Sequence, residues 1–151
     1  MEKGEVVVLV AGTFDGLHAG HLHLFEFAER EGAKLAKALG KKGAKLRVIV
    51  ARDANVLRIK GRRPLHSEKE RVQLVSSLRS VDGVVLGHPY DLFASVRKIN
   101  PDLIVLGFDQ THVPEAQLRK MGYGRIVRCP AFERKTHSSS RLRNIHFEKD
   151  V

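Results

Sequence analysis

Residues 12–21 combine two histidines and three glycines at spacings that suit the binding of a phosphate chain. His18 and His21 are three residues apart, so at the start of a helix both imidazoles project from one face. Gly12, Gly16 and Gly20 permit a tight turn and a close approach of the backbone to a ligand. The exposed N–H groups of a first helical turn also favour an anion. The pattern therefore predicts that both histidines donate hydrogen bonds to one phosphate chain.

Two other interpretations of the histidines stay open. They could be ordinary surface residues, or His18, His21 and His23 could together hold a metal ion. The segment is not a P-loop, because no Gly-Lys-Ser/Thr follows the glycines, and it differs from the dinucleotide-binding glycine pattern. No further metal ligand is placed by the sequence, so phosphate binding is the favoured interpretation.

The elements that must position these histidines follow from the hydrophobic pattern, in which short apolar runs alternate with amphipathic stretches, as in βαβ units. Strands are predicted at residues 6–11, 46–51, 81–86, 103–106 and 126–127. Helices are predicted at residues 20–39, 68–78, 91–99 and 115–121, with a last short helix from Arg141. We expect one α/β domain over residues 1–151, with a doubly wound, Rossmann-like, five-stranded parallel sheet and helices on both faces. Ligands of such sheets bind beyond the carboxyl ends of the strands, which is where the histidines follow the first strand.

Composition narrows the classes of partner. Of 151 residues, 42% are hydrophobic and 29% charged, which is ordinary for a globular protein. Cys129 is the single cysteine, which excludes an intrachain disulfide and fits a cytoplasmic protein. The apolar run at residues 6–11 is too short for a signal sequence or a membrane span. The net charge of +10 suits nucleic acid, acidic lipid or nucleotide phosphates alike, but no nucleic-acid motif is present. We therefore expect neither nucleic acid nor a membrane as partner.

The chain also resembles a known family. Gly-Thr-Phe-Asp at residues 12–15, followed by His-Ala-Gly-His at residues 18–21, resembles the HxGH signature of the cytidylyltransferase-like nucleotidyltransferases. Residues 51–53, 60–64, 70–71 and 81–82 resemble the subgroup that contains archaeal FAD synthases and sugar-phosphate adenylyltransferases. Residues 101–110, 129–130 and 137–139 resemble the archaeal FAD synthases most closely.

The resemblance implies transfer of AMP from ATP to FMN, giving FAD and pyrophosphate by in-line attack at the α-phosphate. It implies magnesium on the ATP phosphates rather than a metal held by the protein, and a homodimer. A glycerol-3-phosphate cytidylyltransferase or a sugar-phosphate adenylyltransferase is the alternative with the same fold. A non-catalytic protein that binds nucleotides or nucleic acid is the alternative from another class. Residues 133–136 are an insertion relative to the family pattern, and this insertion could change the shape of the acceptor side of the pocket.

Residue roles carry over from the resemblance. His18 is expected to contact the α-phosphate and His21 the leaving phosphates, while Thr13 offers its hydroxyl and N–H to phosphate. The signature as a whole implies these nucleotide-binding residues: Thr13, Phe14, His18, Ala19, Gly20 and His21.

Lys60 and Arg62 are the other expected catalytic residues. They are predicted on a glycine-containing loop after the second strand, where they suit a mobile clamp over the leaving pyrophosphate. A solvated basic loop is the alternative. Arg71, in the helix behind that loop, is a weaker candidate for phosphate contact or for support.

Asp109 follows the fourth strand, where its carboxylate suits the ribose hydroxyls or the adenine amino group, the alternative being a buried helix cap. Ser138, Ser139 and Ser140 are expected to bind the β- and γ-phosphates, although N-capping explains one of them. Tyr123 is expected near the nucleotide, with packing in the core as an equal alternative.

Overall fold

A computed structural model describes residues 4–132 of the chain, and its central feature is one sheet of five parallel strands. The strands are β1 (Glu5–Gly12), β2 (Gly43–Val50), β3 (Gly83–Leu86), β4 (Leu103–Leu106) and β5 (Ile126–Arg128). Their order across the sheet is β3-β2-β1-β4-β5, with every neighbouring pair parallel. All five strands were predicted from the apolar runs, and the expected fold class is confirmed.

Five helices connect or follow these strands. They are α1 (Ala19–Ala38), α2 (Asp53–Lys60), α3 (Glu68–Ser76), α4 (Leu92–Ile99) and α5 (Glu115–Lys120). Four of them were predicted to within a few residues. The short helix expected from Arg141 lies outside the described residues.

Helix α2 was not predicted, and its presence corrects the expected position of Lys60. Lys60 is the last residue of α2 rather than part of a loop, and the helix ends at Gly61 with a left-handed φ of 74°. At its other end, the Asp53 N–H donates to the Glu68 carboxylate and the Glu68 N–H donates to the Asp53 carboxylate, at 2.9 and 3.2 Å. Because this reciprocal cap joins residues 15 positions apart, a local sequence pattern does not predict the start of α2.

Helices cover both faces of the sheet because alternate strand residues point to opposite sides. On one face, Val8 and Val10 of β1 pack with Phe25 of α1 and Val75 of α3. On the other face, Leu9 packs with Val96 of α4 and, together with β4 residues, with Leu118 of α5. Both faces of the central strands are therefore dry, which explains their continuous apolar sequences.

The sheet reverses its winding between β1 and β4. From β1 the chain proceeds outward to β2 and β3, and it then returns to the other side of β1 to add β4 and β5. The carboxyl ends of β1 and β4 consequently diverge into loops on opposite sides, which leaves a crevice between them. Helix α1 begins at this crevice.

Candidate active site

A cleft of about 820 Å³ opens at the carboxyl ends of the strands. Its floor is formed by the turn that follows β1 and by the first residues of α1. One wall comes from the loop after β4, at residues 107–114. The opposite wall comes from α2, the residues that follow it up to Pro64, and the loop after β3 between residues 87 and 92. The cleft therefore lies at the crevice where the winding reverses.

The two histidines cap the start of α1 and lock each other in place. His18 is the N-cap residue, and its Nδ1 accepts a hydrogen bond from the Gly20 N–H at 3.0 Å. His21 returns the contact, since its Nδ1 accepts from the His18 N–H at 3.2 Å. The two rings are 4.1 Å apart between centroids. This is a capping box built from two imidazoles in place of the usual hydroxyl and carboxylate.

The capping box assigns the tautomer of both rings. A neutral imidazole whose Nδ1 accepts a hydrogen bond carries its proton on Nε2. His18 and His21 therefore each present an Nε2–H donor beyond the helix start. His21 lines the floor of the cleft, and His18 is exposed beside it. The pair supplies two donors held one turn apart.

This arrangement corrects one part of the expectation from sequence. The first-turn backbone donors were expected to face the anion, but the Gly20 N–H donates to the His18 ring and the His21 N–H to the His18 carbonyl at 3.0 Å. These two amides are therefore already hydrogen-bonded within the start of α1.

Burial keeps His21 neutral. Desolvation and the positive charge of a protonated His18 lower the pKa of His21 to about 4, and the carboxylate of Asp109 opposes this shift. At neutral pH His21 is therefore a neutral imidazole in the free protein. Asp109 and His21 line the same cleft.

Steric contacts explain why glycine occupies positions 12 and 20, before and after the turn that follows β1. A Cβ at Gly20 would lie 2.8 Å from Cε1 of His18, so a side chain there would push the capping ring away. Phe14 is buried with a left-handed φ of 55°, and its ring covers Gly12 so closely that a Cβ there would lie 2.8 Å from it. The edge of the same ring meets His21 at 5.6 Å between centroids. The Phe14 ring thus packs against the His21 ring in a T-shaped contact.

Arg71 does not face the cleft. It is 0% exposed and donates to the carbonyls of Thr13, Ala51 and His66 at 2.7–3.0 Å, and to the Asp53 carboxylate at 2.7 Å. Thr13 and Ala51 directly follow β1 and β2, so one guanidinium ties together the ends of two strands and the start of α3. Of the two roles left open by sequence, the geometry assigns support.

Asp15 extends this support to the segment that follows α2. Its carboxylate accepts from the N–H groups of Leu65 and His66 at 2.7 and 2.9 Å. Burial raises the pKa of Asp15, but these two hydrogen bonds and the nearby charges of His66 and Arg71 outweigh it and lower the pKa below its usual value. The carboxylate therefore stays ionised and pins this segment to the turn after β1.

Lys60 and Arg62 both lie in the cleft wall, on either side of the left-handed Gly61. Their side chains are exposed. They stand on the wall opposite Asp109, which is also exposed and also lines the cleft. The alternative that Asp109 is a buried helix cap is wrong, because the residue is exposed and no helix starts there.

Tyr123 is placed away from the cleft. Its ring packs against the core cluster that contains Leu9, Leu106 and Leu118, and its hydroxyl contacts the Asn100 side chain at 3.4 Å. The structure therefore supports core packing rather than stacking on a nucleotide for this residue. Ser138, Ser139 and Ser140, like the insertion at residues 133–136, lie outside the described residues.

The histidines do not assemble a metal centre. The His23 ring contacts Phe132 at 4.9 Å between centroids instead of joining His18 and His21. Across residues 4–132, no group of three or more His, Cys, Asp or Glu side chains is arranged to hold a metal ion. None of the helices in that part of the chain is long and apolar enough to cross a bilayer.

Sequence reasoning missed several residues that shape the cleft. Gln110 bridges the two central strands, because its Oε1 accepts from the Gly107 N–H at 2.7 Å and its Nε2 donates to the Ala11 carbonyl at 2.9 Å. Asn55 and Tyr90 belong to the opposite wall. Position was one available signal, since Gln110 and Tyr90 both follow shortly after a strand, and Gln110 also lies in the segment that resembles archaeal FAD synthases.

A doubly wound parallel sheet with an imidazole pair capping the helix at its reversal point defines the class of HxGH nucleotidyltransferases. Residues 9–145 match the cytidylyltransferase-like family, and the chain belongs to that family. The resemblance stated from the motifs is thereby confirmed.

Within this family, the chain is similar to several FAD synthases. The chain is 37% identical to an FAD synthase of Thermoplasma acidophilum over 91% of its own length and 92% of the relative's. It is 40% identical to an FAD synthase of Methanothermus fervidus, with 89% and 86% covered. Among solved structures, it is similar to one described as the lipopolysaccharide core biosynthesis protein from Thermoplasma volcanium, at 37% identity and a TM-score of 0.68. That match covers 85% of this chain and 98% of the other.

Proposed function

We propose that this protein is an FAD synthase that transfers AMP from ATP to the phosphate of FMN and releases pyrophosphate. The observation that carries the proposal is the mutual capping of His18 and His21, which leaves two imidazole Nε2–H donors at the start of α1, beside the floor of the cleft. The relatives described as FAD synthases, which match most of the chain, support FMN as the acceptor.

The reaction is an in-line displacement. An oxygen of the FMN phosphate attacks the α-phosphorus of ATP, a new P–O bond forms, and the bond to the β-phosphate oxygen breaks as pyrophosphate leaves. No protein nucleophile is required, because fixed donors and correct positioning supply the stabilisation. His18 donates to the α-phosphate and His21 to the departing phosphates, where negative charge grows in the transition state.

The other cleft residues complete the nucleotide site. Lys60 and Arg62 neutralise the leaving pyrophosphate from one wall. Asp109, on the opposite wall, accepts hydrogen bonds from the ribose hydroxyls. The adenosine and the triphosphate thus lie across the reversal point, with the α-phosphate over the start of α1.

ATP enters as its magnesium complex, so the ion belongs to the substrate. The described residues fit this role, because no group of three or more His, Cys, Asp or Glu side chains among them is arranged to hold a metal ion. The ion shields charge on the triphosphate, while the protein supplies the directed N–H donors.

The test is a pyrophosphate-release assay with ATP or CTP against FMN, glycerol 3-phosphate and heptose 1-phosphate. We expect turnover with ATP and FMN together, and FAD as the product by chromatography. Pyrophosphate formed only with CTP, or only with another acceptor, would overturn the proposal. The homodimer and the cytoplasmic location stay predictions, which light scattering and cell fractionation would check.

A His21→Ala variant tests the role of the histidines in the same assay. Because His21 is proposed to act on charge that develops during the reaction, we expect kcat to fall by about 100- to 1,000-fold while the Kd for ATP changes little. An unchanged kcat would refute this role. Circular dichroism of the variant checks that α1 still forms after loss of half of the capping box.

A further inference from the structure

The wall formed by α2 and the loop after β3 presents an unusual apolar surface. Tyr90 lines the cleft and yet is 86% exposed, and Ile59 beside it in the wall is 72% exposed. Leu92 adds a third apolar side chain that is 41% exposed. Large apolar groups exposed together at the mouth of a cleft commonly mark a binding surface. The opposite wall carries the polar side chains of Asp109 and Gln110 together with Val113 and Pro114.

The backbone that carries Tyr90 is held firmly. The Nδ1 atom of His88 accepts from the N–H groups of Tyr90 and Asp91 at 3.1 and 3.0 Å, which closes a tight turn. The His88 N–H donates to the Ser95 hydroxyl at 2.7 Å, so the turn is fastened to α4. Tyr90 is therefore an exposed ring on a rigid support rather than the tip of a loose loop.

The same turn is fastened to α2, which brings Tyr90 and Ile59 into one surface. Asn55 donates from Nδ2 to the His88 carbonyl at 3.2 Å, and Arg58 donates to the Pro89 carbonyl at 3.4 Å. Arg58 and Pro89 are the immediate neighbours of Ile59 and Tyr90 in the chain. The two exposed apolar side chains consequently flank the same hydrogen-bonded junction.

We infer that Tyr90 is the stacking platform for the isoalloxazine ring of FMN, with Ile59 and Leu92 as its apolar border. The inference rests on the proposed function and assigns the acceptor's ring system to this wall. A flat tricyclic ring stacks favourably on an exposed aromatic face, and on the lining of the cleft Tyr90 provides one that is both open and rigid. The wall with Asp109 is then available for the adenosine of ATP.

The experiment compares Tyr90→Ala and Tyr90→Phe in steady-state assays of FAD formation. Loss of a stacked ring should raise the KM for FMN by about 10-fold in Tyr90→Ala, while Tyr90→Phe keeps a KM within about 3-fold of wild type. The KM for ATP should stay unchanged in both variants. Leu65→Ala is the matched control, because its side chain is equally exposed, at 88%, but does not line the cleft.

A direct binding measurement supports the kinetic one. Stacking on a tyrosine quenches flavin fluorescence, so titration of wild type and Tyr90→Phe with FMN, in the presence of a non-hydrolysable ATP analogue, should show quenching that Tyr90→Ala lacks. An unchanged KM for FMN and unchanged quenching in Tyr90→Ala would overturn the inference. A rise in the KM for ATP alone would overturn it as well, since adenine would then occupy this wall. Wild-type protein that makes no FAD would instead refute the proposed function.

Discussion

Two polar regions lie at the carboxyl ends of the central strands, and they use their hydrogen bonds in opposite ways. The network around Arg71 is directed inward: its guanidinium is fully buried and satisfies three carbonyls and the carboxylate of Asp53. In His18 and His21 the two nitrogens of each ring have different roles. Nδ1 accepts a hydrogen bond from a backbone N–H, and Nε2 remains available to a ligand.

The difference teaches how function can be located among many charged residues. Arg71 and Arg62 are nine residues apart, and both stand near the phosphate site by sequence. Burial and the direction of the donors separate them, since Arg71 is committed to protein atoms while Arg62 is exposed in the cleft wall. Side chains with a hydrogen-bond donor that faces the cleft are candidates for a role in the reaction. Side chains whose donors are all bonded to protein atoms stabilise the fold.

The largest expected effect comes from breaking the inward network. Arg71→Ala would leave three carbonyls without this donor and the Asp53 carboxylate without its partner, so the free energy of unfolding should fall by about 3–5 kcal/mol. Urea denaturation measures this. Arg79→Ala, at an exposed position in the same part of the chain, should stay within about 0.5 kcal/mol of wild type. A loss below about 1 kcal/mol for Arg71→Ala would show that the network is not a support.

A smaller effect is expected from Gly20→Ala, which disturbs the histidine pair alone. The new Cβ would lie 2.8 Å from the His18 ring, so the ring must leave its capping position. We expect kcat to fall by about 10- to 100-fold, with stability nearly unchanged because alanine favours helix by about 1 kcal/mol. Gly124→Ala is the control, since nothing lies within 4 Å of a Cβ there. Wild-type turnover in Gly20→Ala would contradict the proposed importance of the ring's position.

The smallest effect concerns pH. Because folding lowers the pKa of His21 from 6.5 to about 4, the unfolded chain takes up this proton first as pH falls. Stability is therefore lost progressively from about pH 6.5 to about pH 4. Wild type should lose about 1–2 kcal/mol more over this range than His21→Asn, a value reduced for partial exposure. Urea denaturation at pH 7.5 and 4 measures the difference, and equal losses would show that His21 is not desolvated.

Much of this architecture follows from the sequence. All five strands, four helices and the position of the histidines after β1 are visible in apolar runs and in one local signature. What could not be predicted depends on contacts between distant residues. Helix α2 starts with a cap from Glu68, and Arg71 gathers carbonyls from three segments. The exposure of Tyr90 likewise emerges only when α2 and the loop after β3 come together.

Tyr123 shows what a local pattern leaves open. The sequence allowed this residue to lie near the nucleotide or to pack in the core, and its ring packs against the core cluster that contains Leu9 and Leu118. The spacing of His18 and His21 correctly predicted that both lie on one helical turn. The face of the sheet on which a single tyrosine lies depends instead on how the whole chain packs.

The most direct test of the account is the protonation state of the two imidazoles, read by long-range ¹H–¹⁵N NMR correlation of histidine-labelled protein at neutral pH. We predict that His18 and His21 both carry their proton on Nε2, and that their Nε2–H signals shift on addition of a non-hydrolysable ATP analogue with magnesium. Protons found on Nδ1, or Nε2–H signals that do not respond to the nucleotide, would contradict the claim that these two donors hold the phosphate chain.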